Sequence, residues 1–319
     1  MNYIILDLEW NTSFSNKKQK YVNEIIEFGA VKTDENLEII ETFSMLITPQ
    51  IGKKLNSHIQ ELTHITDEEL TSANNTFTHT LKCFEKFLGT GVLLTWSTSD
   101  ILTLIENYNY YYHTEKLPFL TKYCNLQVYC EKILGVHNPS LQLGLSACAE
   151  MLEIENDCLS MHRAKDDAIL SFYCLKKLFD EQKLRSMTEL ALTEEFYKKI
   201  TFKVRFITDI NNPNVDKSQM FFNCPICNEK MQQKSRWKVK SKSFVSNFTC
   251  KNCKEEYLGK ISFKLRYDET LVKKKLTLME EIKKEQKRIK AEKEKGRAEK
   301  NKKLKVKVKN KETTVKQPQ

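Results

Sequence analysis

The sequence predicts an α/β fold with a mixed sheet, followed by a small β-rich metal module and a basic tail. Short apolar runs typical of strands come first, and strands then alternate with helical periodicity up to about residue 200. Beyond that point, short alternating runs surround two C-x-x-C pairs, and the last stretch is low-complexity Lys/Glu. We therefore expect three parts, at 1–200, 201–271 and 272–319.

The elements of the first part follow from hydrophobic periodicity. Apolar runs predict strands at residues 3–8, 24–31, 37–47 and 91–96. Helical patterns begin at about Asp67, where TDEEL resembles a capped start, after the strand at 91–96, and from roughly Ser140 to Asp180. Such an alternation of strands and helices is typical of a sheet with helices packed against it.

Charge divides the chain more sharply than its total of +10 indicates. The first 200 residues carry a net −9, residues 201–271 carry +7, and the rest carries +12. A basic rear half favours a phosphate polymer as partner. The first apolar run ends at Asp7, too soon for a signal peptide, and no later stretch is long and apolar enough to span a bilayer. We therefore expect a cytoplasmic protein with no membrane partner.

Two carboxylates on the first predicted strand indicate a cation site. Asp7 and Glu9 lie two residues apart, so both side chains project from one face of the strand. They would repel each other, and a divalent cation would satisfy both. The alternative is a strand end that runs into solvent, with Glu9 merely exposed.

Further candidates follow later strands and helices. Asp100 comes after the strand at 91–96, although Ser97, Ser99 and Asp100 are all good N-caps for the next helix. In MHRAKDDA, a helical projection at about 100° per residue places Asp167 inside the apolar arc and Asp166 on the opposite, solvated side. An inward carboxylate needs a cation. His162 precedes this helix and is free to face the same cleft, or to be a surface histidine.

Together these residues resemble a known family. D-x-E on the first strand, a mid-domain aspartate and H-x-x-x-x-D opening a late helix form the pattern of the DEDDh 3′–5′ exonucleases, which include the DnaQ-like proofreading subunit, ribonuclease T and the KapD-type proteins. The segments EIIEFGAV, HIQELTHIT and SLQLGLSACAEMLEI support the resemblance over about residues 1–185. It implies a ribonuclease H-like fold. It further implies two divalent metals held by Asp7, Glu9, Asp100 and Asp167, with His162 as general base.

The residue types suit this implied chemistry. Four carboxylates without cysteine favour Mg²⁺ or Mn²⁺, and two cations can neutralise a phosphodiester and lower the pKa of an attacking water. A histidine can then accept the proton of the water. In the family, the loop corresponding to HIQELTHIT lies beside the terminal nucleotide, which implies substrate contacts for Thr63 and His64. A capping or packing role is the alternative for both residues. Relatives often dimerise, so a homodimer stays open.

The cysteines of the second part predict a structural zinc site. Cys224 and Cys227 form one C-x-x-C knuckle, Cys250 and Cys253 form another, and 22 residues separate the two. This spacing within β-like sequence is typical of a tetrahedral Cys₄ zinc ribbon, the alternative being four unligated thiols. Four thiolates leave no open position on the metal, and so small a module needs the metal to fold. The other six cysteines are scattered and are expected to be free thiols.

Between the knuckles, cations recur at every second residue. If this run is a strand, its cations share one face, and we expect Arg236, Lys238 and Lys240 to contact phosphates, together with the flanking Lys234 and Lys242. Four nearby phenylalanines could stack on bases or form the small core, namely Phe221, Phe222, Phe244 and Phe248. Protein docking is the alternative for this module. The helical or disordered tail would add phosphate affinity or merely solubility.

We therefore expect a metal-dependent 3′–5′ exonuclease that releases nucleoside 5′-monophosphates from single-stranded RNA or DNA ends. One alternative is a nucleic-acid-binding protein that keeps the fold without the activity, which the intact set of five candidate residues disfavours. The other is a proofreading partner of a polymerase, which the sequence supports least, since it shows neither a polymerase domain nor a clear clamp-binding segment.

Overall fold

The structure, a computed structural model, describes residues 1–52, 54–136, 142–155, 162–288, 290 and 294. The chain divides into two units, Met1–Thr201 and Phe202–Gln319. Each unit has its own sheet and its own core. Among the described residues, no helix combines the length and the apolar character needed to cross a bilayer.

A six-stranded mixed sheet forms the centre of the first unit. Its strands are β1 Tyr3–Ser15, β2 Lys20–Thr33, β3 Ile39–Leu46, β4 Val92–Thr95, β5 Lys122–Asn125 and β6 Glu189–Leu190. The strand order is β3-β2-β1-β4-β5-β6. The first three strands are antiparallel, β4 and β5 run parallel to β1, and β6 is antiparallel to β5.

Helices cover both faces of this sheet. They are α1 Ser57–Thr63, α2 Asp67–Ala73, α3 Phe77–Leu88, α4 Thr98–Tyr112, α5 Leu126–Ile133, α6 Leu145–Met151, α7 Ala164–Lys177, α8 Glu181–Met187 and α9 Glu194–Ile200. The start predicted at Asp67 is confirmed, because Thr66 and Glu69 form a reciprocal capping box there. The predicted α/β fold, with a mixed sheet flanked by helices, is confirmed. Within the predicted helical stretch from Ser140 to Asp180, residues 140–141 and 156–161 lie outside the described residues.

Alternation along β1 explains how one strand serves two cores. Ile4 and Leu6 point into a cluster that includes side chains of α3 and α4. Tyr3 and Ile5 point into the opposite cluster, with side chains of α5 and α7. Because side chains alternate along a strand, Asp7 continues the second series, on the face that α7 covers.

β1 and β2 are longer than their apolar runs predict. The hairpin they form continues to Ser15 and Lys20, where the residues are mostly polar. Periodicity misses this part because pairing with a neighbouring strand stabilises it, rather than burial on both faces. The register between the two strands shifts at Glu9 and Trp10. Such an irregularity bends a strand and redirects its side chains, here beside the candidate carboxylates.

The second unit is an antiparallel sheet. Its strands are β7 Arg205–Ile207, β8 Gln232–Gln233, β9 Lys238–Lys240, β10 Ser243–Thr249, β11 Glu256–Leu265 and β12 Thr270–Leu278. The order is β12-β11-β10-β8, while β7 pairs with β11 and β9 with β10. The core contains Phe222, Phe244 and Phe248, so packing explains these three rings, whereas Phe221 is partly exposed.

The sheet extends past the expected start of the tail. β12 runs to Leu278 and pairs with β11 along its length, so residues 272–278 are strand and not a helical or disordered tail. Val272, Leu276 and Leu278 lie at even-numbered positions, as expected for one face of a strand, although the lysines of the segment resemble the low-complexity sequence that follows. Residues 279–288 are helical. Of the predicted basic tail, residues 289, 291–293 and 295–319 lie outside the described residues.

Candidate active site and four-cysteine cluster

Three of the predicted carboxylates converge in the first unit. Carboxylate oxygens of Asp7, Glu9 and Asp167 all lie within 4.8 Å of one another. The first two come from β1, and Asp167 comes from the first turn of α7, which packs across that strand. All three are partly buried. Oxygen ligands at this spacing can share a hard divalent cation of the Mg²⁺ or Mn²⁺ type.

Asp100 lies beside this group without belonging to it. Its side chain is only 5% exposed, and its Oδ1 accepts a hydrogen bond of 3.2 Å from the Leu8 N–H, which lies between the two β1 carboxylates in sequence. The cap of α4 is Ser97, not Asp100, since the Ser97 side chain accepts from the Ser99 N–H. Asp100 therefore belongs to the first turn of α4, and its side chain lies beside the three converging carboxylates.

Burial raises the pKa of all four carboxyls, and repulsion from neighbouring carboxylates raises it further. For Asp7, burial and then the charges of Asp100 and Glu9 raise the pKa well above its usual value. Burial and the charge of Asp167 raise the pKa of Glu9 to about 8. Burial also raises the pKa of Asp100 to about 7, against the lowering effect of its hydrogen bond from Leu8. Bound cations would offset this cost of ionisation, so the donor set fits divalent metal.

His162 and Asp166 flank the start of α7. His162 is half-buried and has a left-handed backbone with φ of 64°. Its charge and its backbone hydrogen bond both lower the pKa of Asp167, although burial, the larger effect, raises that pKa overall. Asp166 is half-buried rather than fully solvated as expected, and it lies outside the group of three converging carboxylates.

A buried ion pair that the motif analysis missed anchors α7 to the sheet. Glu27 is 1% exposed and lies directly opposite Glu9 on β2. Its carboxylate accepts hydrogen bonds from the Arg163 guanidinium, the shortest at 2.9 Å, and from the Ala164 N–H at 3.2 Å. Such charge-assisted bonds fix the end of the helix that carries Asp167. The sequence did contain a signal for this pair, because Glu27 lies inside an apolar strand and a buried carboxylate requires a partner.

Gly29 permits the close approach of β2 and α7. A Cβ at this position would lie 2.0 Å from the Ala164 carbonyl carbon and 2.0 Å from the Lys165 nitrogen. Both are backbone atoms and cannot yield as a side chain can. The distance between strand and helix therefore depends on the absence of a side chain at Gly29.

The Thr63 side chain packs inside the protein, which is the role expected of it as the alternative to substrate contact. Its side chain is fully buried, its hydroxyl donates to the Ile59 carbonyl at 2.9 Å, and the same oxygen accepts from the Ile65 N–H at 3.2 Å. The donor and the acceptor of this hydroxyl are therefore both engaged inside the protein. His64 caps α1 with φ of 58° and is exposed.

In the second unit, the sulfurs of four cysteines converge. The Sγ atoms within 4.8 Å of one another are those of Cys224, Cys227, Cys250 and Cys253. Cys224 and Cys253 are 3.9 Å apart, and Cys227 and Cys250 are 3.5 Å apart. A tetrahedral zinc ion with Zn–S bonds of about 2.3 Å would hold its sulfurs about 3.8 Å apart, so the donor set fits zinc.

The two knuckles have the same backbone conformation. The Asn228 N–H donates to the Cys224 carbonyl at 2.9 Å, and the Lys254 N–H donates to the Cys250 carbonyl at 3.1 Å. Asn228 and Lys254 both have positive φ, at 58° and 60°. In the second knuckle, the Cys253 N–H also lies 3.4 Å from the Cys250 Sγ. Each loop therefore directs its cysteine sulfurs to one point.

The basic run between the knuckles is not one continuous strand. β9 contains only Lys238, Val239 and Lys240, so the alternation of cations on a strand face holds for the two lysines alone. Arg236 is exposed but precedes the strand. Lys242 lies in the two-residue turn between β9 and β10, where its φ of 60° fits a primed turn and not a strand.

Comparison with known proteins identifies a family that this chain matches. A family model described as exonuclease matches residues 4–175. A search among curated proteins gave no match to the chain.

Several solved structures are similar. A 3′-exonuclease in a structure of 3′-end recognition of the histone mRNA stem-loop is 23% identical, with 57% of this chain and 83% of that chain covered and a TM-score of 0.49. The nuclease domain of 3′hExo, described as a DEDDh family member bound to rAMP, is 24% identical, with 60% and 96% covered and a TM-score of 0.48. Exonuclease I of E. coli, with a dA16 oligonucleotide, is 13% identical, with 58% and 42% covered and a TM-score of 0.45.

Proposed function

The chain belongs to the exonuclease family, whose model spans residues 4–175, and from this premise we propose that it is a metal-dependent 3′–5′ exonuclease. The observation that carries the proposal is the convergence of Asp7, Glu9 and Asp167 within 4.8 Å. The substrate is the 3′ end of a single-stranded nucleic acid, and the product is a nucleoside 5′-monophosphate. The metal-ligand roles include Asp100, which completes the set of four acids.

Asp7, Glu9, Asp100 and Asp167 would hold two Mg²⁺ or Mn²⁺ ions beside the terminal phosphodiester. Cations at this position would neutralise the phosphate and lower the pKa of the attacking water. Water oxygen bonds to phosphorus while the bond from phosphorus to the 3′ oxygen breaks, and the departing 3′ oxygen takes a proton from solvent to become the 3′-hydroxyl of the shortened strand. His162 accepts the proton of the water as general base. His64, exposed at the end of α1, contacts the terminal nucleotide.

Labelled oligonucleotides test the activity and its direction together. The purified chain is mixed with strands labelled at the 5′ or the 3′ end, in Mg²⁺ or Mn²⁺. We expect the 5′-labelled strand to shorten stepwise and the 3′-labelled strand to release a labelled mononucleotide at once. Matched RNA and DNA strands of one sequence then identify the preferred sugar.

The control is Asp7→Ala, which removes one of the three converging carboxylates. Stepwise shortening that persists in this variant would show that another nuclease, or another site, is responsible. Tight binding without shortening in either metal would support instead a binding protein that has kept the fold.

The four-cysteine cluster holds one structural zinc ion, and the second unit grips the nucleic acid through Arg236, Lys238 and Lys240. Elemental analysis of the purified chain should find one zinc per molecule, and Cys250→Ser should lose it. A chain that folds with the same melting temperature after complete zinc removal would contradict the structural role.

A further inference from the structure

One face of the second unit's sheet concentrates lysines from several strands. Residues directly opposite each other on paired strands project to the same face. Lys260 on β11 is opposite Lys275 on β12, and Ser262 is opposite Lys273. Ile261, between the two β11 residues, is fully buried in the core. The lysines and the serine therefore occupy the open face of the sheet.

A cavity of 370 Å³ opens on this face. Four lysines, three serines and one phenylalanine line it, and the lysines are Lys242, Lys260, Lys273 and Lys275. Their sources are the β9–β10 turn, β11 and β12. Three elements that are distant in sequence thus direct ammonium groups and serine hydroxyls to one concave surface. This volume lies in the range of pockets that hold small ligands.

The charges of the cavity are not balanced within the described part of the chain. No aspartate or glutamate lines it, and none of its four lysines is in an ion pair with a carboxylate among the described residues. Lys260 and Lys275 are direct cross-strand neighbours of like charge, an arrangement that destabilises a sheet. An anion bound between them would offset the repulsion.

An exposed aromatic ring borders the cationic surface. Phe206 on β7 lies opposite Lys264 and is 39% exposed. The Nζ of Lys242 is 5.8 Å from the centre of this ring, and that of Lys264 is 5.9 Å away. A ring in contact with solvent and flanked by ammonium groups is a suitable platform for stacking a base next to a phosphate.

We propose that this cavity is a binding site for single-stranded nucleic acid, in which the lysines contact backbone phosphates and Phe206 stacks on a base. The choice of polymer rests on the exonuclease function proposed above; the anionic and planar character of the ligand rests on the cavity itself. A single strand fits because its bases are free to stack on a protein ring, whereas the bases of a duplex are stacked on one another. Arg236, Lys238 and Lys240 are not among the residues that line this cavity.

Equilibrium binding tests the cavity without any cleavage. The zinc-loaded chain of 319 residues is titrated against a fluorescent single-stranded oligonucleotide with nuclease-resistant linkages, without Mg²⁺ or Mn²⁺, over a range of salt. We expect the double substitution Lys260→Gln and Lys275→Gln to weaken binding about tenfold. The slope of log K against log salt should fall by about 1.4, which is roughly 0.7 for each lost phosphate contact. The melting temperature should stay equal or rise, because a repulsive pair is removed.

The matched control removes the same charge elsewhere in the unit. Lys283 and Lys284 are exposed in the helical segment after β12, and their double substitution to Gln also lowers the net charge by two. We expect a loss of less than threefold in this control. Equal losses in the two double variants would overturn the proposal, because general basicity would then explain both. Stronger displacement of the oligonucleotide by an acidic polyglutamate peptide than by unlabelled single strand would overturn it in favour of a protein partner.

Phe206→Leu separates stacking from charge. This variant should lose about tenfold in affinity for the single strand, an amount typical of one stacked base, with the salt slope unchanged. An affinity for the single strand equal to that of the original chain would exclude the stacking role.

Failure of this site is distinguishable from failure of the exonuclease function. Cleavage of a dinucleotide tests the carboxylate site alone, because its single phosphodiester must lie at the carboxylates to be cleaved. Dinucleotide cleavage together with cavity variants that bind normally would overturn only the cavity. If the cavity variants lose affinity as expected but no substrate is cleaved, only the exonuclease function is overturned.

Discussion

Two adjacent aspartates at the start of α7 have different surroundings. Asp167 lies with Asp7 and Glu9, whereas Asp166 is half-buried outside that group. We predict that Asp167→Asn lowers the rate of 3′-end cleavage by more than about a hundredfold, since even groups that only support metal ligands contribute roughly 10–100-fold. Asp166→Asn should change the rate by less than about threefold. The comparison is made by measuring single-turnover cleavage rates of both variants and of the original chain at saturating metal.

The two asparagine variants control for each other, because they make the same chemical change one residue apart. Circular dichroism should show that both fold. A larger loss in Asp166→Asn than in Asp167→Asn would show that the carboxylate group at β1 is not the catalytic site.

The raised carboxyl pKa values predict a stability that depends on pH. In the unfolded chain these groups ionise near pH 4, whereas in the folded chain the pKa of Glu9 is about 8 and that of Asp100 about 7. Between those limits the folded state binds more protons than the unfolded state, so the free energy of unfolding falls as pH rises. The first unit without added divalent metal should therefore melt at a lower temperature at pH 8 than at pH 6. Added Mg²⁺ or Mn²⁺ should raise the melting temperature more at pH 8.

Tryptophan fluorescence can report this effect from the first unit alone. The chain has three tryptophans, and Trp237→Phe leaves Trp10 and Trp96, both in the first unit. Glu9→Gln in this background should flatten the fall between pH 6 and 8. A melting temperature that rises with pH in metal-free buffer would contradict the assigned direction of the pKa shifts.

For individual residues, local periodicity predicted the converging carboxylates but missed the ion pair between Glu27 and Arg163 that holds α7 against the sheet. Period two placed Asp7 and Glu9 together, and the helical projection directed Asp167 inward, because each pattern depends only on nearby residues. The pairing of Glu27 with Arg163 joins positions 136 residues apart, which no local pattern contains. For Thr63 the sequence left packing and substrate contact both open, because a hydroxyl in a loop motif does not reveal whether its hydrogen bonds stay inside the protein.

Among the elements, α7 depends on the ion pair that joins it to β2. Arg163→Gln would leave the Glu27 carboxylate buried without its cation. We predict a loss of about 1–3 kcal/mol in the free energy of unfolding, reduced from the value for a fully buried pair because the Arg163 side chain is 30% exposed. Urea titration measures it. The double variant Glu27→Gln and Arg163→Gln should lose less than the single variant, and a double variant that loses more would argue against the pair.

The packing of β2 against the same helix depends on Gly29. Gly29→Ala should destabilise the first unit by about 1–3 kcal/mol, because the added Cβ meets helix backbone atoms at 2.0 Å. It should also lower cleavage, since the shift displaces Asp167 from β1. Gly144→Ala is the matched control: within the described part of the chain, a Cβ there meets nothing within 4 Å. Equal stability changes in the two variants would show that the close approach is not limiting.

Element boundaries show where sequence patterns stop being informative. β4 was predicted to within one residue at each end, and α4 begins soon after the predicted strand, because a buried run and a cap mark these positions. β12 was not, since its lysines resemble those of the tail and only pairing with β11 distinguishes them. The expectation that the cations between the knuckles share one strand face failed for a related reason. The primed turn at Ser241 and Lys242 needs two positive φ values, which a Ser-Lys sequence does not signal.

At the scale of the whole molecule, the two units depend on different kinds of stabilisation. The first unit buries two extensive apolar clusters on the faces of one sheet. The second has a smaller core and a four-cysteine cluster whose spacing suits zinc. Small domains of this kind need a metal or another cross-link to be stable. Zinc loss should therefore unfold the second unit and leave the first unit folded.

Cys224→Ser tests this division through function. The variant should lose zinc and bind long single strands more weakly, by about tenfold or more, since the basic face of the second unit is then disordered. Cleavage of a dinucleotide should stay within about twofold of the original rate, because the carboxylates and α7 belong to Met1–Thr201. Gel-based assays with a long strand and a dinucleotide, run in parallel, measure the two effects. Cys83→Ser is the control, a free cysteine of the first unit that should change neither rate. Equal loss on both substrates in Cys224→Ser would mean that the second unit is part of the catalytic fold, and that the chain does not work as two separable units.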